Sequence, residues 1–245
     1  MEPPRPCSRA LHLSLLLAVF AGVRAAYAQS IESRPPSEQY ADAIKALESS
    51  GSGSIQDTFE LGMKAGPSVE SFVTSASPDQ IQALSAEMPG YIMKPGDPPL
   101  ARPSADYFLK LAKRKGDKAD VAFFDAYARA EPDSNSGQPA YIRPLGGEQS
   151  CTIFDGLLLA DLYRRWVAFR TQYPDDYVSE AQGELDTMDT ELGTATCACA
   201  GRDQVLAGLD GFAKALPTLP ITAKVQARAE QIRKGTSPIR FNCKG

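Results

Sequence analysis

The sequence has 245 residues, with 26 basic against 30 acidic side chains and a formal net charge of −4. This balance excludes a protein that binds nucleic acid or anionic lipid through bulk positive charge. The composition is 43% hydrophobic and 23% charged, which is typical of a folded domain and argues against a disordered chain.

Residues 1–28 have the three-part pattern of a cleavable signal peptide. A basic leading segment precedes an uncharged apolar run at 11–23, and Ala26-Tyr27-Ala28 supplies the small residues that signal peptidase requires. The run is too short to span a bilayer, which needs about 20 apolar helical residues. We therefore expect cleavage between Ala28 and Gln29, a periplasmic or secreted protein, and no transmembrane segment in the mature chain. An uncleaved membrane anchor is the alternative.

Cleavage would remove His12, the only histidine, and would leave 217 of the 245 residues with 23 basic and 29 acidic side chains. A mature chain without imidazole excludes catalysis by a Ser-His or Cys-His pair and excludes His-ligated metal sites. No phosphate-binding loop, nucleophile elbow or zinc-helix motif occurs in the sequence. We therefore predict no cofactor and no metal. Enzymatic activity is left uncertain, with a non-enzymatic role favoured.

Residues 29–103 are predicted to form an N-terminal helical region. Its predicted helices cover residues 38–49, 54–66 and 77–88. The Gly66-Pro67 pair predicts the end of the second helix, and Ser77 begins the third with a capping box. Residues 89–103 contain five prolines and two glycines, which predicts a connector without regular structure.

Residues 104–245 are predicted to form a C-terminal helical region that contains the disulfides. Ser104 and Asp117 are predicted to cap its first two helices. Apolar residues then recur at helical spacing over four segments, at about 152–173, 179–192, 202–216 and 222–234. The predicted fold class is all-α, a multi-helix bundle with a C-terminal four-helix unit. One short two-stranded β pairing is allowed for, between the tail at 238–243 and Tyr141-Ile142-Arg143.

Four cysteines follow the signal peptide, at Cys151, Cys197, Cys199 and Cys243. An even number of cysteines in an exported chain predicts two disulfides. A bond across the single residue between Cys197 and Cys199 would be strained, so Cys151 and Cys243 should each bond one member of that pair. The pattern leaves the choice of partner open. A four-thiolate metal site and a redox pair are the alternatives, although the C-x-C spacing is unusual for both.

The long helix predicted at 152–173 carries three candidate binding residues, Asp161, Arg165 and Trp166. Asp161 can reach Arg165 at helical spacing, which indicates an ion pair on a solvated face. An arginine that grips an anionic ligand is the alternative interpretation. An aromatic side chain at position 166 more often belongs to the core than to a ligand platform.

Seven acidic residues lie between positions 175 and 191: Asp175, Asp176, Glu180, Glu184, Asp186, Asp189 and Glu191. Such a density suits a cation site, or a carboxylate pair for sugar cleavage in which Glu184 takes part. The calcium-loop pattern is absent, and these residues fall opposite the apolar positions Leu185 and Met188. A solvated helix face is therefore the favoured interpretation.

These features favour an exported soluble helical protein that is non-enzymatic and serves a binding or structural role. Its expected partner is an unidentified macromolecule or a component of the cell envelope. One alternative is a helical glycan-cleaving enzyme that uses Glu184 with an aspartate. Another is a small-molecule carrier with a pocket between the two halves.

Overall fold

The computed structural model describes residues 34–96, 99–135, 137–146 and 149–244. The predicted signal peptide, its cleavage site and His12 lie outside these residues. Within the described ranges the chain forms nine α-helices and two short two-stranded sheets, so the predicted all-α class is confirmed. None of the helices in these ranges combines the length and the apolar character needed to cross a membrane.

The elements follow one another with short connections. In chain order they are α1 (Pro36–Ser49), α2 (Ile55–Ser75), α3 (Pro78–Glu87), β1 (Tyr91–Lys94), β2 (Leu100–Pro103), α4 (Ala105–Lys115), α5 (Lys118–Ala130), β3 (Ile142–Gly146), β4 (Gln149–Thr152), α6 (Gly156–Gln172), α7 (Val178–Thr194), α8 (Arg202–Ala215) and α9 (Pro220–Lys234). Several helices begin at a side chain that accepts a backbone amide hydrogen bond, as expected of capping residues: Ser54, Ser77, Ser104, Asp117 and Asp155.

Helix α2 does not end at Gly66-Pro67, so the predicted boundary there is wrong. The helix continues to Ser75, because Val69 and Val73 on the far side of the proline are buried in the core. Pro67 itself lies on the exposed face of the helix. A proline at such a position costs one backbone hydrogen bond on the solvent side, and the packing of the opposite face outweighs that loss.

The predicted connector at 89–103 contains an antiparallel hairpin, which the sequence prediction missed. Strand β1 pairs with β2, with Tyr91 opposite Pro103 and Lys94 opposite Leu100. A two-stranded sheet leaves one edge of each strand unpaired, so a proline at its end removes no essential hydrogen bond. All four residues of β2 are buried, and the strand packs on α2. The hairpin therefore belongs to the core.

Aromatic rings join α2 of the predicted N-terminal region to α4 and α5 of the predicted C-terminal region. The ring of Phe59 in α2 lies 5.3 Å from Phe108 of α4 and 5.1 Å from Phe124 of α5, measured between centroids. Edge-to-face contacts of this kind add to the stabilisation from buried area. The rings bring residues on both sides of position 103 into one apolar cluster. The division into two regions at 103/104 stays a prediction.

Two disulfides fix the ends of the C-terminal helices. Cys151 bonds Cys199, and Cys197 bonds Cys243, with Cα–Cα distances of 5.0 and 6.0 Å. The prediction that each outer cysteine bonds one member of the Cys197/Cys199 pair is confirmed, and the choice left open is resolved. Cys151 precedes α6, Cys197 and Cys199 lie between α7 and α8, and Cys243 follows α9. The two disulfides therefore connect the ends of all four C-terminal helices.

The strand partner predicted for the tail is wrong. Ile142 pairs with Thr152 in the β3–β4 hairpin, whereas Arg240 of the tail pairs with Cys197. A hairpin between neighbouring segments closes a short loop and loses less chain entropy than a pairing with the distant tail. The tail is held instead beside its own disulfide, where the amide of Ala198 donates to the carbonyl of Arg240 at 2.8 Å.

Candidate functional site

The predicted binding residues Asp161 and Arg165 form an ion pair on the surface. Arg165 Nε donates to Asp161 Oδ2 at 2.8 Å, and its Nη1 donates to Asp125 Oδ2 at 3.0 Å. All three side chains remain partly exposed to solvent. The predicted ion pair is therefore present, and the charge of this arginine is already balanced by two carboxylates.

The third predicted residue of α6, Trp166, is fully buried. Its ring lies 5.6 Å from Phe123 and packs edge-on against Phe169 at 6.4 Å, so it belongs to the aromatic core. The indole Nε1 has no hydrogen-bond partner among the described residues. A buried indole donor without a partner is uncommon in native proteins.

Several acids of α7 do not form the solvated face that the sequence favoured. Asp189 accepts a hydrogen bond from Tyr163 at 2.9 Å, and Glu191 accepts one from Thr152. Glu180 and Glu184 are half-buried, and each has a buried Oε2 without a partner in the described part of the chain. The difference arises because α7 packs against both α6 and α9, which covers more of its surface than one apolar stripe requires.

Glu184 belongs to a group of polar residues that we name the carboxylate cluster. Its members are Arg102, Tyr127, Glu131, Tyr141 and Glu184. They come from β2, from α5 and the residue that follows it, from the segment before β3, and from α7. Arg102, Tyr127, Glu131 and Tyr141 are each at least nine-tenths buried. Such burial is uncommon for charged residues such as arginine and glutamate.

Arg102 organises one side of the carboxylate cluster. Its Nη2 donates to the backbone carbonyls of Glu131 and Pro132, both at 3.1 Å, and its Nη1 donates to the hydroxyl of Tyr127 at 3.4 Å. These carbonyls follow the C-terminus of α5, where the helix dipole favours a cation. The guanidinium also lies 3.6 Å from the Glu131 carboxylate. Arg102 thus attaches the β1–β2 hairpin to the end of α5.

A neighbouring carboxylate, Asp133, has a separate structural role. It accepts hydrogen bonds from the hydroxyl of Ser104 at 2.5 Å and from the amide of Ala105 at 2.8 Å. These donors lie at the N-terminus of α4, where a negative charge is stabilised by the helix dipole. Arg102 approaches Asp133 only at 3.8 Å. We therefore assign Asp133 to the capping of α4.

Two carboxyl groups of the carboxylate cluster have strongly raised pKa values. The pKa of Glu184 is raised to about 8, mainly by burial and further by repulsion from Glu131, while the attraction of Arg102 opposes the shift. Burial likewise raises the pKa of Glu131 to about 7, while Arg102 opposes the shift. At neutral pH the protein therefore holds a proton on these two groups that an exposed pair would have released.

Three polar atoms of the carboxylate cluster are buried without a hydrogen-bond partner among the described residues: Glu184 Oε2, the Tyr141 hydroxyl and Arg102 Nε. Burial raises the pKa of Tyr141, and the charges of Glu184, Glu131 and Glu191 raise it further. Each unsatisfied buried group costs about 1–3 kcal/mol.

Comparison with models of known families, with curated proteins and with solved structures finds no match to this chain. Any function therefore has to be inferred from the residues themselves. In the described ranges, no group of three or more His, Cys, Asp or Glu side chains is arranged to hold a metal ion. The carboxylate cluster is the candidate functional site.

The sequence prediction found one member of this site, Glu184, and missed the other four. Arg102 lies in a proline-rich segment that was assigned to an irregular connector, and Glu131 follows a helix in a position that is usually solvated. No local spacing links these residues, because they meet only through tertiary contacts. The one available signal was the position of Arg102, a charged residue that follows the apolar pair Leu100-Ala101 and shortly precedes the helix start at Ser104.

A shallow groove of about 650 Å³ lies beside α5, on another part of the surface. Val121, Ala122 and Tyr173 supply its apolar lining, and Asp125 lies at its edge next to the ion-paired Arg165. The groove carries no feature that selects one partner, so the expected macromolecular partner stays a prediction.

Proposed function

We propose that this chain is an exported, disulfide-stabilised binding protein without catalytic activity, and that the carboxylate cluster is its ligand site. The proposal rests on the unpartnered polar atoms of Arg102, Tyr141 and Glu184, which come from three separate parts of the chain. Native interiors leave few polar groups unsatisfied. A polar ligand that satisfies these atoms accounts for their retention in the core.

Export is the second part of the proposal. The signal-peptide pattern at 1–28 supports it, and so do the disulfides Cys151–Cys199 and Cys197–Cys243, since such bonds persist in oxidising compartments. Mass spectrometry of the protein from its native source should give a chain that begins at Gln29 with no free thiol. A product that retains residue 1, or four reactive thiols, would contradict export.

Ligand binding can be tested through the single tryptophan. Trp166 packs on Phe123, whose ring stacks on Tyr127 of the carboxylate cluster at 5.7 Å, so occupation of the site should change its fluorescence. A panel of sugars, amino acids, amines and carboxylic acids would be screened by this signal and by thermal shift. We expect at least one class to raise the melting temperature through preferential binding to the folded state.

Variants of the carboxylate cluster decide whether such binding occurs at the proposed site. Glu184→Gln and Tyr141→Phe should weaken it, whereas Asp186→Asn, a charge change on an exposed part of the same helix, should not. Binding that is equally strong in all three variants would remove the carboxylate cluster as the ligand site.

A second candidate function is cleavage of a glycan by a carboxyl pair. The raised pKa of Glu184 suits a general acid at neutral pH, and Glu131 replaces the aspartate expected as its partner. Release of reducing ends from a panel of envelope glycans would support this function if both Glu184→Gln and Glu131→Gln abolish it. Equal activity in the wild type and both variants would exclude it.

A further inference from the structure

The tail at 238–243 is held to the protein as an edge strand. The amide of Arg240 donates to the carbonyl of Thr196 at 2.9 Å, and the carbonyl of Arg240 accepts from the amide of Ala198 at 2.8 Å. Two more backbone hydrogen bonds of 3.0 Å continue the pairing, from Asn242 to Ala200 and from Cys243 to Ala198. The tail therefore covers one edge of the segment 196–200.

Few side chains anchor the tail. Within residues 238–243, all of which the structure describes, Ile239 alone is buried. Phe241 is partly buried against the core, and Pro238, Arg240 and Asn242 are exposed. Segments with so few buried contacts are those that open locally in folded proteins. The disulfide between Cys197 and Cys243 is thus the main restraint that keeps the tail in place.

The two disulfides differ in their access to solvent. Cys197 and Cys243 are both partly exposed. In the other bond, Cys199 is partly exposed but Cys151 is only 2% exposed. A thiolate that attacks Cys199 would expel Cys151 as a thiolate in a buried position, where a negative charge is costly. Attack on the Cys197–Cys243 bond expels a partly solvated sulfur instead.

We infer that the Cys197–Cys243 bond is a site of thiol–disulfide exchange with an exported protein that carries a reactive dithiol. Its reduction releases the tail, while the Cys151–Cys199 bond and the helices stay in place. Exposed disulfides are generally the labile and regulatory ones, and buried ones resist reduction. No residue of this site belongs to the carboxylate cluster, so its chemistry does not depend on ligand binding there.

The exchange has two steps. A thiolate of the dithiol attacks Cys243 Sγ, the bond to Cys197 breaks, and Cys197 leaves as a thiolate. The second thiolate of the reductant then attacks the sulfur bound to Cys243, which frees Cys243 and closes the disulfide of the reductant. Two electrons pass to the protein, and the two protons of the dithiol end on Cys197 and Cys243. Attack occurs at Cys243 because its neighbours Asn242 and Lys244 are exposed.

Release of the tail changes one edge of the segment 196–200 and leaves the other edge intact. The amide of Ala198 loses its acceptor, the carbonyl of Arg240. On the opposite edge, the amide of Cys199 still donates to the carbonyl of Thr152 at 3.0 Å. The uncovered edge presents free backbone groups of the kind that pair with an extended chain. The adjacent amides of Ala198 and Cys199 therefore report separately on the two edges.

Limited reduction of the oxidised protein by dithiothreitol tests the site. Samples are quenched with acid, labelled with N-ethylmaleimide and mapped by mass spectrometry. We expect Cys197 and Cys243 to be labelled together, at least about tenfold faster than Cys151 and Cys199. In guanidinium chloride, which removes the difference in burial, both bonds should be reduced at the same rate. Equal rates in the folded protein, or a difference that persists in the denaturant, would overturn the inference.

A glutathione reaction identifies the attacked sulfur. This monothiol forms the first mixed disulfide but cannot close a disulfide of its own within the complex. After rapid alkylation, peptide mapping should find glutathione on Cys243 and the alkyl group on Cys197. The reverse distribution would refute the assigned direction of attack.

Hydrogen exchange measured by NMR tests the release of the tail. On reduction by dithiothreitol, the amide of Ala198 should exchange at least about tenfold faster, while the amides of Cys199 and Thr152 should keep their protection. The matched variant Cys197→Ser/Cys243→Ser should show the same pattern without reductant and should retain the helical circular dichroism of the wild type. Unchanged exchange at Ala198, or loss of helical signal in the variant, would contradict a local release of the tail.

Discussion

Arg228 in α9 donates a hydrogen bond of 2.9 Å from Nη1 to the backbone carbonyl of Leu192 in α7. The same atom donates to the carbonyl of Glu191 at 2.8 Å, and Nη2 donates to that of Ala195. The guanidinium also lies 5.3 Å from the ring centroid of Phe154. No basic residue occurs in the last turn of α7, so a cation from α9 satisfies its terminal carbonyls instead.

Replacement of Arg228 by methionine should lower the free energy of unfolding by about 3 kcal/mol. The change keeps much of the apolar stem but removes the arginine donors from one buried and two partly buried carbonyl groups. Denaturant unfolding of the purified protein measures this loss. Arg233→Met is the control, because Arg233 lies on the same helix and pairs with Asp210 in solvent. The unfolding midpoint of Arg233→Met should equal that of the wild type. If both variants lost the same free energy of unfolding, the assigned role of Arg228 would be contradicted.

The two disulfides should each make a large and separate contribution to stability. The bonded residues are 48 and 46 positions apart, and closing loops of that size in the unfolded chain stabilises the folded state by roughly 4 kcal/mol per bond. Serine variants of the Cys151–Cys199 pair and of the Cys197–Cys243 pair should lose similar amounts. Peptide mapping should return these two links, and a Cys151–Cys197 link would contradict the structure.

Features set by neighbours in the sequence could be predicted, and those set by distant contacts could not. The starts of α3, α4 and α5 were predicted from Ser77, Ser104 and Asp117, because a capping side chain acts on the next few residues. The number of possible disulfide pairings was reduced because a bond between Cys197 and Cys199, which are separated by one residue, would be strained. Both kinds of inference need only local stereochemistry.

The β1–β2 hairpin and most of the carboxylate cluster depend on packing that the sequence does not display. The start of α7 is a further feature that depends on such packing. Tyr177 precedes this helix with a left-handed backbone at φ 45°, an unfavourable state for this residue type. Its ring stacks on Phe123 at 3.8 Å, and its hydroxyl donates to Asp120 at 2.5 Å. Those long-range contacts fix the conformation, and no local pattern predicts them.

The close contact between α6 and α8 should depend on glycine at position 208. A Cβ added there would lie 1.9 Å from the carbonyl oxygen of Phe154, which is backbone and cannot rotate away. Gly208→Ala should therefore destabilise the protein by about 3 kcal/mol or more, although alanine is the better helix former. Thermal unfolding measures the effect.

The control for this variant lies one turn along the same helix. A Cβ at Gly211 would meet its nearest atom only at 3.8 Å, which is ordinary contact. Gly211→Ala should leave stability unchanged or raise it by up to about 1 kcal/mol. If both substitutions had the same effect, steric contact between α6 and α8 would not be the cause.

The last prediction concerns the dependence of stability on pH. Because burial raises the pKa of Glu184 from 4.5 to about 8, the folded protein keeps a proton in this window that the unfolded chain has released. The folded state binds more protons, so the free energy of unfolding falls as the pH rises from about 4.5 to 8. Glu131, with a pKa raised to about 7, contributes in the same direction.

Glu184→Gln removes the larger of these two contributions. The variant and the wild type should have nearly the same stability at pH 4, where Glu184 is neutral in both states. At pH 9 the variant should be more stable by about 2 kcal/mol; one pKa unit corresponds to roughly 1.4 kcal/mol, and contact of the half-buried side chain with solvent reduces the full effect. Urea unfolding at several pH values measures the slopes. If the free energies of unfolding of the wild type and Glu184→Gln ran parallel with pH, Glu184 would ionise as freely in the folded state as in the unfolded chain. The control is Asp186→Asn, on the exposed side of α7, whose free energy of unfolding should run parallel to that of the wild type throughout.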